Sequence, residues 1–205
     1  MSALLFDSEP WDYLGESEAV DVEDELVQST ASSLRIGDDV AYAKAAFELV
    51  RDRVTHSMDV RDHRVTWRAS DVLREGTGLC YAKSHAFVAL LRAGGIQSGF
   101  CYQLLRSGDD PSDPLVLHGL AAALIDDRWV RLDPRGNKPG VQVEFSAGED
   151  SLAFTPDPAL GERDYRTVYA APHPAVLDVL KASDDCVEMC ETGGLPSADL
   201  SAGRM

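Results

Sequence analysis

The sequence predicts an α+β fold in which two strong helices precede a run of consecutive antiparallel strands. Apolar residues recur at helical spacing over residues 38–55 and again over residues 80–93. After residue 96 the pattern changes to that of strands, with turn-forming residues between the apolar runs. The chain has 205 residues, of which 44% are hydrophobic, and this is enough for one packed core with extensions.

The first helix begins after an acidic cap and has one apolar face. Asp38 and Asp39 supply the cap, and the stripe that would face the core consists of Val40, Ala43, Phe47, Val50 and Val54. A short helix over residues 71–75 follows a loop, with Ser70 as its expected N-cap. Both helices precede the glycine-rich segment that starts at Gly76.

The second long helix is predicted to begin at Cys80, directly after Gly76 and Gly78. Alanine at three positions would permit close packing of this helix, and the pair Gly94-Gly95 ends it in the way that helices commonly end. A cysteine at the first residue of a helix lies beside unpaired backbone N–H groups and the positive end of the helix dipole.

The strands are predicted from apolar runs separated by polar turns. They cover residues 96–106, 115–125 and 128–132, with a further candidate at residues 141–145. Residues 146–173 are rich in turn formers, and residues 174–181 have the pattern of a last helix. Consecutive strands joined by short turns indicate an antiparallel sheet, and we expect the helix of Cys80 to pack on one of its faces.

Charge is distributed unevenly along the chain. Residues 1–35 contain nine acidic residues and one basic residue, and residues 150–205 contain ten and four, whereas the intervening residues contain sixteen and fourteen. A nearly neutral centre with acidic ends indicates a folded domain with solvated extensions. We expect an acidic N-terminal arm or helix, a core, a C-terminal extension packing on the core and a flexible tail, over residues 1–35, 36–150, 151–182 and 183–205.

The net charge and the apolar runs argue against several classes of partner. A formal net charge of −16 disfavours binding to nucleic acid or anionic membranes, since both depend on Lys and Arg. No apolar run approaches the roughly 18 residues of a membrane span, and the acidic N-terminus lacks the positive region of a signal peptide. Four cysteines are too few for a disulfide scaffold. We therefore expect a cytoplasmic protein.

Cys80 is the first candidate for chemistry. A cysteine thiol has a pKa of about 8.5, and a helix N-terminus with a nearby histidine can lower such a value to roughly 3.5–7.5. The thiolate is the nucleophilic form. A lone cysteine would more often be a buried structural residue, so its interpretation depends on the residues near it.

His118 and Asp133 are predicted to face each other on a hairpin. A two-residue turn at residues 126–127 would place Asp133 opposite Leu120. Because side chains alternate along a strand, His118 then lies on the same face, one diagonal step of about 7–8 Å away. A one-residue bulge in the turn would move the pair to opposite faces. Taken singly, His118 would be a structural histidine, and Asp133 with Pro134 the start of a turn.

Three segments of the chain resemble the transglutaminase-like superfamily. They are the Gly-x-Cys of residues 78–80 with the following helix and its Leu-x-Arg-x-x-Gly-Ile end, then His118, then Trp-x-x-x-Asp-Pro over residues 129–134. The order and the compact spacing match, and the resemblance covers about residues 40–145. It implies a papain-like cysteine enzyme fold. Members include protein-crosslinking enzymes, peptidases and deglycosylating amidases.

By position, the resemblance implies a catalytic triad of Cys80 as nucleophile, His118 as base and later acid, and Asp133 as the group that orients the imidazole. The thiolate would attack the amide carbonyl of a peptide or a glutamine side chain, and a thioester would form as the amine departs. Water or a second amine would resolve the thioester. We expect a protease or amidase rather than a crosslinking acyltransferase, with a peptide or protein amide as substrate and no cofactor.

The tetrahedral intermediate needs fixed hydrogen-bond donors. The backbone N–H of Cys80 is the expected first donor. Gln103 and Tyr102, on the predicted strand, are candidates for the second donor or for substrate contacts, although outward-pointing strand side chains explain them equally well. Gly78 is expected to keep side chains away from an approaching substrate backbone.

Two other functions stay open. The same fold could bind a peptide or a protein without catalysis, although all three residue types of the triad are present. Cys186 and Cys190 could be zinc ligands together with His173 or with His56 and His63, but their spacing is not that of a zinc knuckle and no metal is expected. The sequence leaves the oligomeric state open.

Some residues are expected to have only structural roles. His85 follows Cys80 by five positions and is a weak alternative base, since it would face away from the thiol on a helix. The acidic pairs Asp109-Asp110 and Asp126-Asp127 lack the ligand spacing of a calcium loop, and we expect both to form turns.

Overall fold

The computed structural model describes residues 3–108, 110–197 and 199–200. In chain order the helices are α1 (Glu25–Leu34), α2 (Asp39–Arg53), α3 (Ser57–Val60), α4 (Ala69–Glu75), α5 (Cys80–Ala93), α6 (Pro174–Ala182) and α7 (Cys186–Glu191). The strands are β1 (Leu5–Phe6), β2 (Thr55–His56), β3 (Thr77–Gly78), β4 (Ser98–Arg106), β5 (Leu115–Ile125), β6 (Arg128–Leu132), β7 (Arg163–Asp164) and β8 (Thr167–Val168). None of the helices in these ranges is both long and apolar enough to cross a membrane.

The main sheet is antiparallel and has the strand order β6-β5-β4-β7. The turn between β5 and β6 consists of Asp126 and Asp127, whose φ angles are 50° and 58°. Two successive residues with positive φ are typical of the tight turns that join antiparallel strands. Ile125 pairs with Arg128, so the predicted register of this hairpin is confirmed.

Helix α5 is the centre of the core. It packs against the sheet on one side and against α1, α2 and α4 on the other, and every residue from Cys80 to Arg92 is buried. Alanines at positions 82, 86 and 89 have no exposed surface, which is consistent with close packing of neighbouring elements around the helix. The predicted α+β fold, with this helix packed on an antiparallel sheet, is confirmed.

The acidic N-terminal segment packs on the core, although its charge indicates a solvated arm. Tyr13, Val20 and Val27 are buried. The carboxylate of Asp21 accepts hydrogen bonds from the backbone N–H and the hydroxyl of Ser70. Helix α4 starts one residue earlier than its predicted cap, so Ser70 lies in the first turn and Asp21 satisfies its backbone donor.

The candidate strand at residues 141–145 does not form a regular strand in the described part of the chain. The backbone N–H of Val143 donates to the side chain of Asn137 at 2.7 Å instead of to a neighbouring strand. Gly140, with a φ of +83°, turns the chain just before this segment. The fourth strand of the sheet is β7, which pairs with β4 through two residues only.

The C-terminal segment, which the sequence indicates as a flexible tail, contains α7 and further contacts with the core. α7 packs against α3, and the backbone N–H of Leu117 donates to the carbonyl of Pro196. The start of the segment is tied down where the N–H of Cys186 donates to the carbonyl of His63. Residues 198 and 201–205 of the predicted tail, and Asp109 of the predicted acidic turn, lie outside the described residues.

Candidate active site

Cys80 is the first residue of α5 and lies at the meeting point of the helix and the sheet. The extended residue Leu79 precedes it as the N-cap, and the short pairing of β2 with β3 holds the chain just before it. The residue is only 8% exposed. The N–H groups of a first helical turn have no acceptor within the helix, and the dipole there favours negative charge. The sulfur therefore lies beside the unpaired N–H groups of the first turn of α5.

Gly119 allows the N-terminus of α5 to approach β5 closely. A Cβ atom at this position would lie 2.8 Å from Cδ1 and 3.2 Å from Cα of Tyr81, so a larger residue would push the helix away. The backbone N–H of Gly119 donates to Sγ of Cys80 at 3.5 Å. The hydroxyl of Tyr81 in turn donates to the carbonyl of Leu117. These contacts hold the sulfur against the strand that carries His118.

His118 and Asp133 form a buried hydrogen-bonded pair. The distance from Nε2 of His118 to Oδ2 of Asp133 is 2.7 Å. Because Nε2 is engaged, Nδ1 is the ring nitrogen left for the side chain of Cys80, which lines the same cavity as His118. The Phe154 ring packs edge-to-face on the imidazole, with 5.1 Å between ring centroids. The structure thus brings together Cys80, His118 and Asp133.

The backbone holds the Asp133 carboxylate in place. Its Oδ1 accepts the N–H of Arg135 at 3.0 Å, and its Oδ2 accepts the N–H of Ala153 at 3.2 Å in addition to the His118 ring. A carboxylate with several donors and a cationic neighbour is stabilised in its charged form. This arrangement leaves the carboxylate little freedom to turn away from the imidazole.

The charges of the three groups favour an imidazolium. Burial by itself lowers the pKa of His118, but the charge of Asp133 and the contact with Cys80 outweigh it and raise the pKa to about 10. Burial by itself raises the pKa of Asp133, but the attraction of His118 outweighs it and holds the pKa below its usual range. His118 therefore keeps its proton at neutral pH and can hand it to a leaving group.

Cys80 and His118 open onto a cavity of about 650 Å³. Its apolar lining includes Leu105 and Phe154. Besides His118, its charged lining consists of Arg106, Arg135, Lys138 and Glu162 among the described residues. The guanidinium of Arg135 is paired with the carboxylate of Asp59 at 2.8 Å, so its charge is balanced beside the cavity.

His56 lines the same cavity. From the sequence, its only proposed role is that of a zinc ligand. It pairs across the β2–β3 ladder with Gly78, which precedes Cys80 by two residues. Its side chain is 11% exposed, and its Nδ1 has no hydrogen-bond partner, with the carboxylate of Asp59 4.0 Å away. Burial, and next the charge of Arg135, lower the pKa of His56 to about 3, so the ring is neutral. No local sequence signal distinguishes this histidine.

Three other predicted site residues do not line the cavity, namely Gln103, Tyr102 and Gly78. Gln103 is fully buried opposite His118 and its amide donates to the carbonyl of Phe154 at 3.3 Å. The hydroxyl of Tyr102 accepts the N–H of His173 at 2.9 Å. A Cβ at Gly78 would lie 2.9 Å from the Cβ of Ala82, so this glycine provides room for the first turn of α5.

His85 faces away from the thiol. Its Nδ1 lies 2.7 Å from the carbonyl of Trp67, and its ring contacts Phe100 edge-to-face. Burial lowers the pKa of His85 to about 4. A buried neutral ring in the core, directed away from the cavity, is a structural histidine.

The cysteines of α7 lie on the other side of the cavity. Cys190 is among the residues that line it, and Cys186 is the first residue of the same helix. Within the described ranges, no group of three or more His, Cys, Asp or Glu side chains is arranged to hold a metal ion.

Comparison with known proteins agrees with this geometry. The model of the transglutaminase-like superfamily matches residues 28–134. A solved structure of a "Putative Cysteine Protease" from Cytophaga hutchinsonii is 19% identical, with a TM-score of 0.51, over 63% of this chain and 43% of that one. At this identity the likeness shows the fold. No curated protein matches the chain significantly.

Two further solved structures are more distant. A "putative protease" from Parabacteroides distasonis is 16% identical over 71% of this chain and 30% of that one, with a TM-score of 0.41. A structure described as a TGase is 14% identical over 70% and 41%, with a TM-score of 0.43. This chain spans less than half of the length of each of these solved proteins. The matched family model covers more than half of the chain, including Cys80, His118 and Asp133, and the chain belongs to the transglutaminase-like superfamily.

Proposed function

We propose that this chain is a cysteine hydrolase that cleaves an amide bond of a peptide or of a glutamine side chain. Cys80 is the nucleophile, His118 the base and then the acid, and Asp133 the group that orients the imidazole. The observation that supports this best is the position of the thiol, which accepts the N–H of the residue after His118, together with the 2.7 Å contact between the His118 ring and the Asp133 carboxylate.

The reaction begins with the proton of the thiol on His118. The sulfur attacks the carbonyl carbon of the amide, and a tetrahedral intermediate forms with a negative charge on the former carbonyl oxygen. His118 then donates its proton to the departing nitrogen, the C–N bond breaks, and the acyl group stays on the sulfur as a thioester. The raised pKa of His118 makes the imidazolium the resting form, so the proton is in place when the amine leaves.

Two donors are proposed for the oxyanion. The first is the backbone N–H of Cys80, which heads α5 and lacks an intrahelical acceptor. The second is the neutral ring of His56, which lines the cavity and pairs in the β2–β3 ladder with Gly78, two residues before Cys80. An oxyanion donor that is fixed before the reaction costs no reorganisation when charge develops.

Water is the proposed acceptor of the acyl group. An amine acceptor such as a lysine side chain is cationic until it loses a proton, and the cavity lining already includes the cationic side chains of Arg106 and Lys138. Like charges at short range disfavour the approach of such an acceptor. Water has no such penalty, and His118 can take its proton as it attacks the thioester.

Acylation of the thiol by an activated ester tests the proposal. With p-nitrophenyl acetate, we expect a burst of nitrophenol and an acetyl group on Cys80 that hydroxylamine removes. Cys80→Ser and His118→Ala should each abolish the burst. If the native chain acetylates no faster than these variants, the catalytic proposal fails, and a non-catalytic peptide-binding module on the same fold takes its place.

The acceptor is tested separately with glutamine-containing peptides, in the presence and absence of a fluorescent primary amine. Ammonia release without incorporation of the amine supports hydrolysis. Efficient incorporation of the amine at the expense of ammonia release would show that the chain is a transferase.

A further inference from the structure

Strand β5 extends beyond its partner β6 on the side of the candidate active site. β5 runs over Leu115–Ile125, but its pairing with β6 ends at Ala121 and Leu132. Within the described residues, the stretch 115–119 therefore has no strand on this edge. An unpaired strand edge presents N–H and C=O groups that an extended chain can bind.

Two N–H groups of this edge already have hydrogen-bond acceptors, one in the candidate active site and one in the C-terminal segment. The N–H of Gly119 donates to Sγ of Cys80 at 3.5 Å, and the N–H of Leu117 donates to the carbonyl of Pro196 at 2.6 Å. Alternate residues of a strand are about 6.5–7 Å apart. The carbonyl of Pro196 thus lies one dipeptide step along the edge from the reactive sulfur.

The side chains of the segment also enter the cavity. Leu195 and Cys190 line it together with Cys80 and His118. On the β5 side the lining includes Val116 and Leu117. The C-terminal segment therefore contributes a leucine to the cavity wall and a backbone carbonyl to the strand edge.

Polar contacts at the protein surface hold this segment. The carboxylate of Asp199 lies 2.8 Å from the guanidinium of Arg163 and accepts the hydroxyl of Tyr165 at 2.9 Å. The side chains of the ion pair are 52% and 48% exposed. Exposed ion pairs contribute little to stability, so the segment can be displaced by a competitor without unfolding the core.

We propose that the edge of β5 beside Cys80 is the groove that receives an extended polypeptide substrate, and that residues 195–196 occupy it in the free protein as an intramolecular competitor. This inference rests on the proposed function of Cys80. A substrate would pair a backbone carbonyl with the N–H of Leu117 and place an apolar side chain where Leu195 lies. Its next amide would then reach the thiol.

The experiment uses the full chain and the variant Leu195→Asp/Asp199→Asn, with Asp178→Asn as a control on the exposed face of α6. Iodoacetamide alkylation of Cys80 is measured by peptide mapping, and amide hydrogen exchange at Leu117 is measured in parallel. We expect alkylation to be at least threefold faster in the double variant and the Leu117 amide to lose protection. The control should match the native chain in both measurements.

Competition in trans completes the test. A synthetic peptide of residues 193–200 should slow alkylation of the double variant, whereas the same peptide with aspartate in place of its leucine at position 195 should not. Unchanged alkylation in the double variant would overturn the proposal, whether or not Leu117 exchanges faster. If Cys80 is unreactive in every form, the proposed function fails instead, and Leu117 exchange alone reports whether the segment covers the edge.

Discussion

The backbone N–H of Gly119, the residue directly after His118, donates to Sγ of Cys80 at 3.5 Å. The helix that carries Cys80 and the strand that carries His118 are thus joined at the sulfur atom. A thiolate accepts such a hydrogen bond more strongly than a thiol does, because charge on the acceptor strengthens the bond. The contact exists because residue 119 has no side chain.

Gly119→Ala should separate the helix from the strand. The added Cβ meets Tyr81 at 2.8 Å and 3.2 Å, and overpacking of this kind costs about 1–3 kcal/mol. We expect a lower free energy of unfolding in urea and slower alkylation of Cys80. Gly148→Ala is the matched control, since a Cβ there has no neighbour within 4 Å, and it should change stability by less than about 0.5 kcal/mol. Equal behaviour of the two variants would contradict this account.

Asp133→Asn should change both the rate and its dependence on pH. The charge of Asp133 helps to raise the pKa of His118 to about 10, and asparagine lacks that charge. His118 will then lose its proton at a lower pH, so the alkaline limb of the pH–rate profile should move to lower pH. Loss of correct acid–base function typically costs 10²–10⁴-fold in rate. Ammonia release from a glutamine-containing peptide, measured from pH 5 to pH 10, checks this, and an unmoved alkaline limb would argue against it.

His56 substitutions test the second oxyanion donor. Loss of one such donor costs about 10²–10³-fold in kcat, so His56→Ala should lower kcat with little change in KM. His56→Gln keeps an N–H donor in the cavity and should restore part of the rate. A fall in both variants that is confined to KM would indicate a substrate-binding role, not an oxyanion donor.

Lys83 should make stability depend on pH. It is fully buried one turn beyond Cys80, and its Nζ donates to the carbonyls of Arg51 and Val54 at the end of α2. Burial, and next the charge of Arg135, lower the pKa of Lys83 to about 7, against about 10.4 for an unfolded chain. Between these values only the unfolded chain binds the proton, so this group makes stability rise with pH.

Lys83→Met removes that contribution. The difference in unfolding free energy between the native chain and the variant should change by up to about 1.4 kcal/mol per pH unit from pH 7 to pH 10. Urea titrations across this range provide the measurement. Lys44→Met, at an exposed position on α2, should show a difference that is constant with pH. A flat difference for Lys83→Met as well would show that the buried amine keeps an ordinary pKa.

The hairpin that carries His118 could be predicted because its register depends on a local signal. Two aspartates with positive φ make the turn, and alternation then determines which side chains share a face. Helix α5 could be predicted from its caps and its apolar residues for the same reason. Local patterns of this kind also account for the predicted limits of β5 and β6.

The parts that the sequence did not indicate depend on contacts between distant residues. His56 enters the cavity through a two-residue ladder with Gly78, and Pro196 binds the edge of β5 from the other end of the chain. Neither contact is predicted by a local sequence pattern. The packing of the acidic N-terminal segment on the core also lacks a local signal, because charge obscures its apolar anchors, such as Tyr13 and Val27.

The central claim is that Cys80 and His118 act as a thiolate–imidazolium pair, and the rate of iodoacetamide alkylation of Cys80 against pH tests it most directly. An ordinary thiol of pKa about 8.5 reacts roughly two orders of magnitude more slowly at pH 6 than at pH 8. We expect the rate at Cys80 to change only severalfold over this range, and the steep dependence to return in His118→Ala. A steep profile in the native chain that is the same in His118→Ala would contradict the pair.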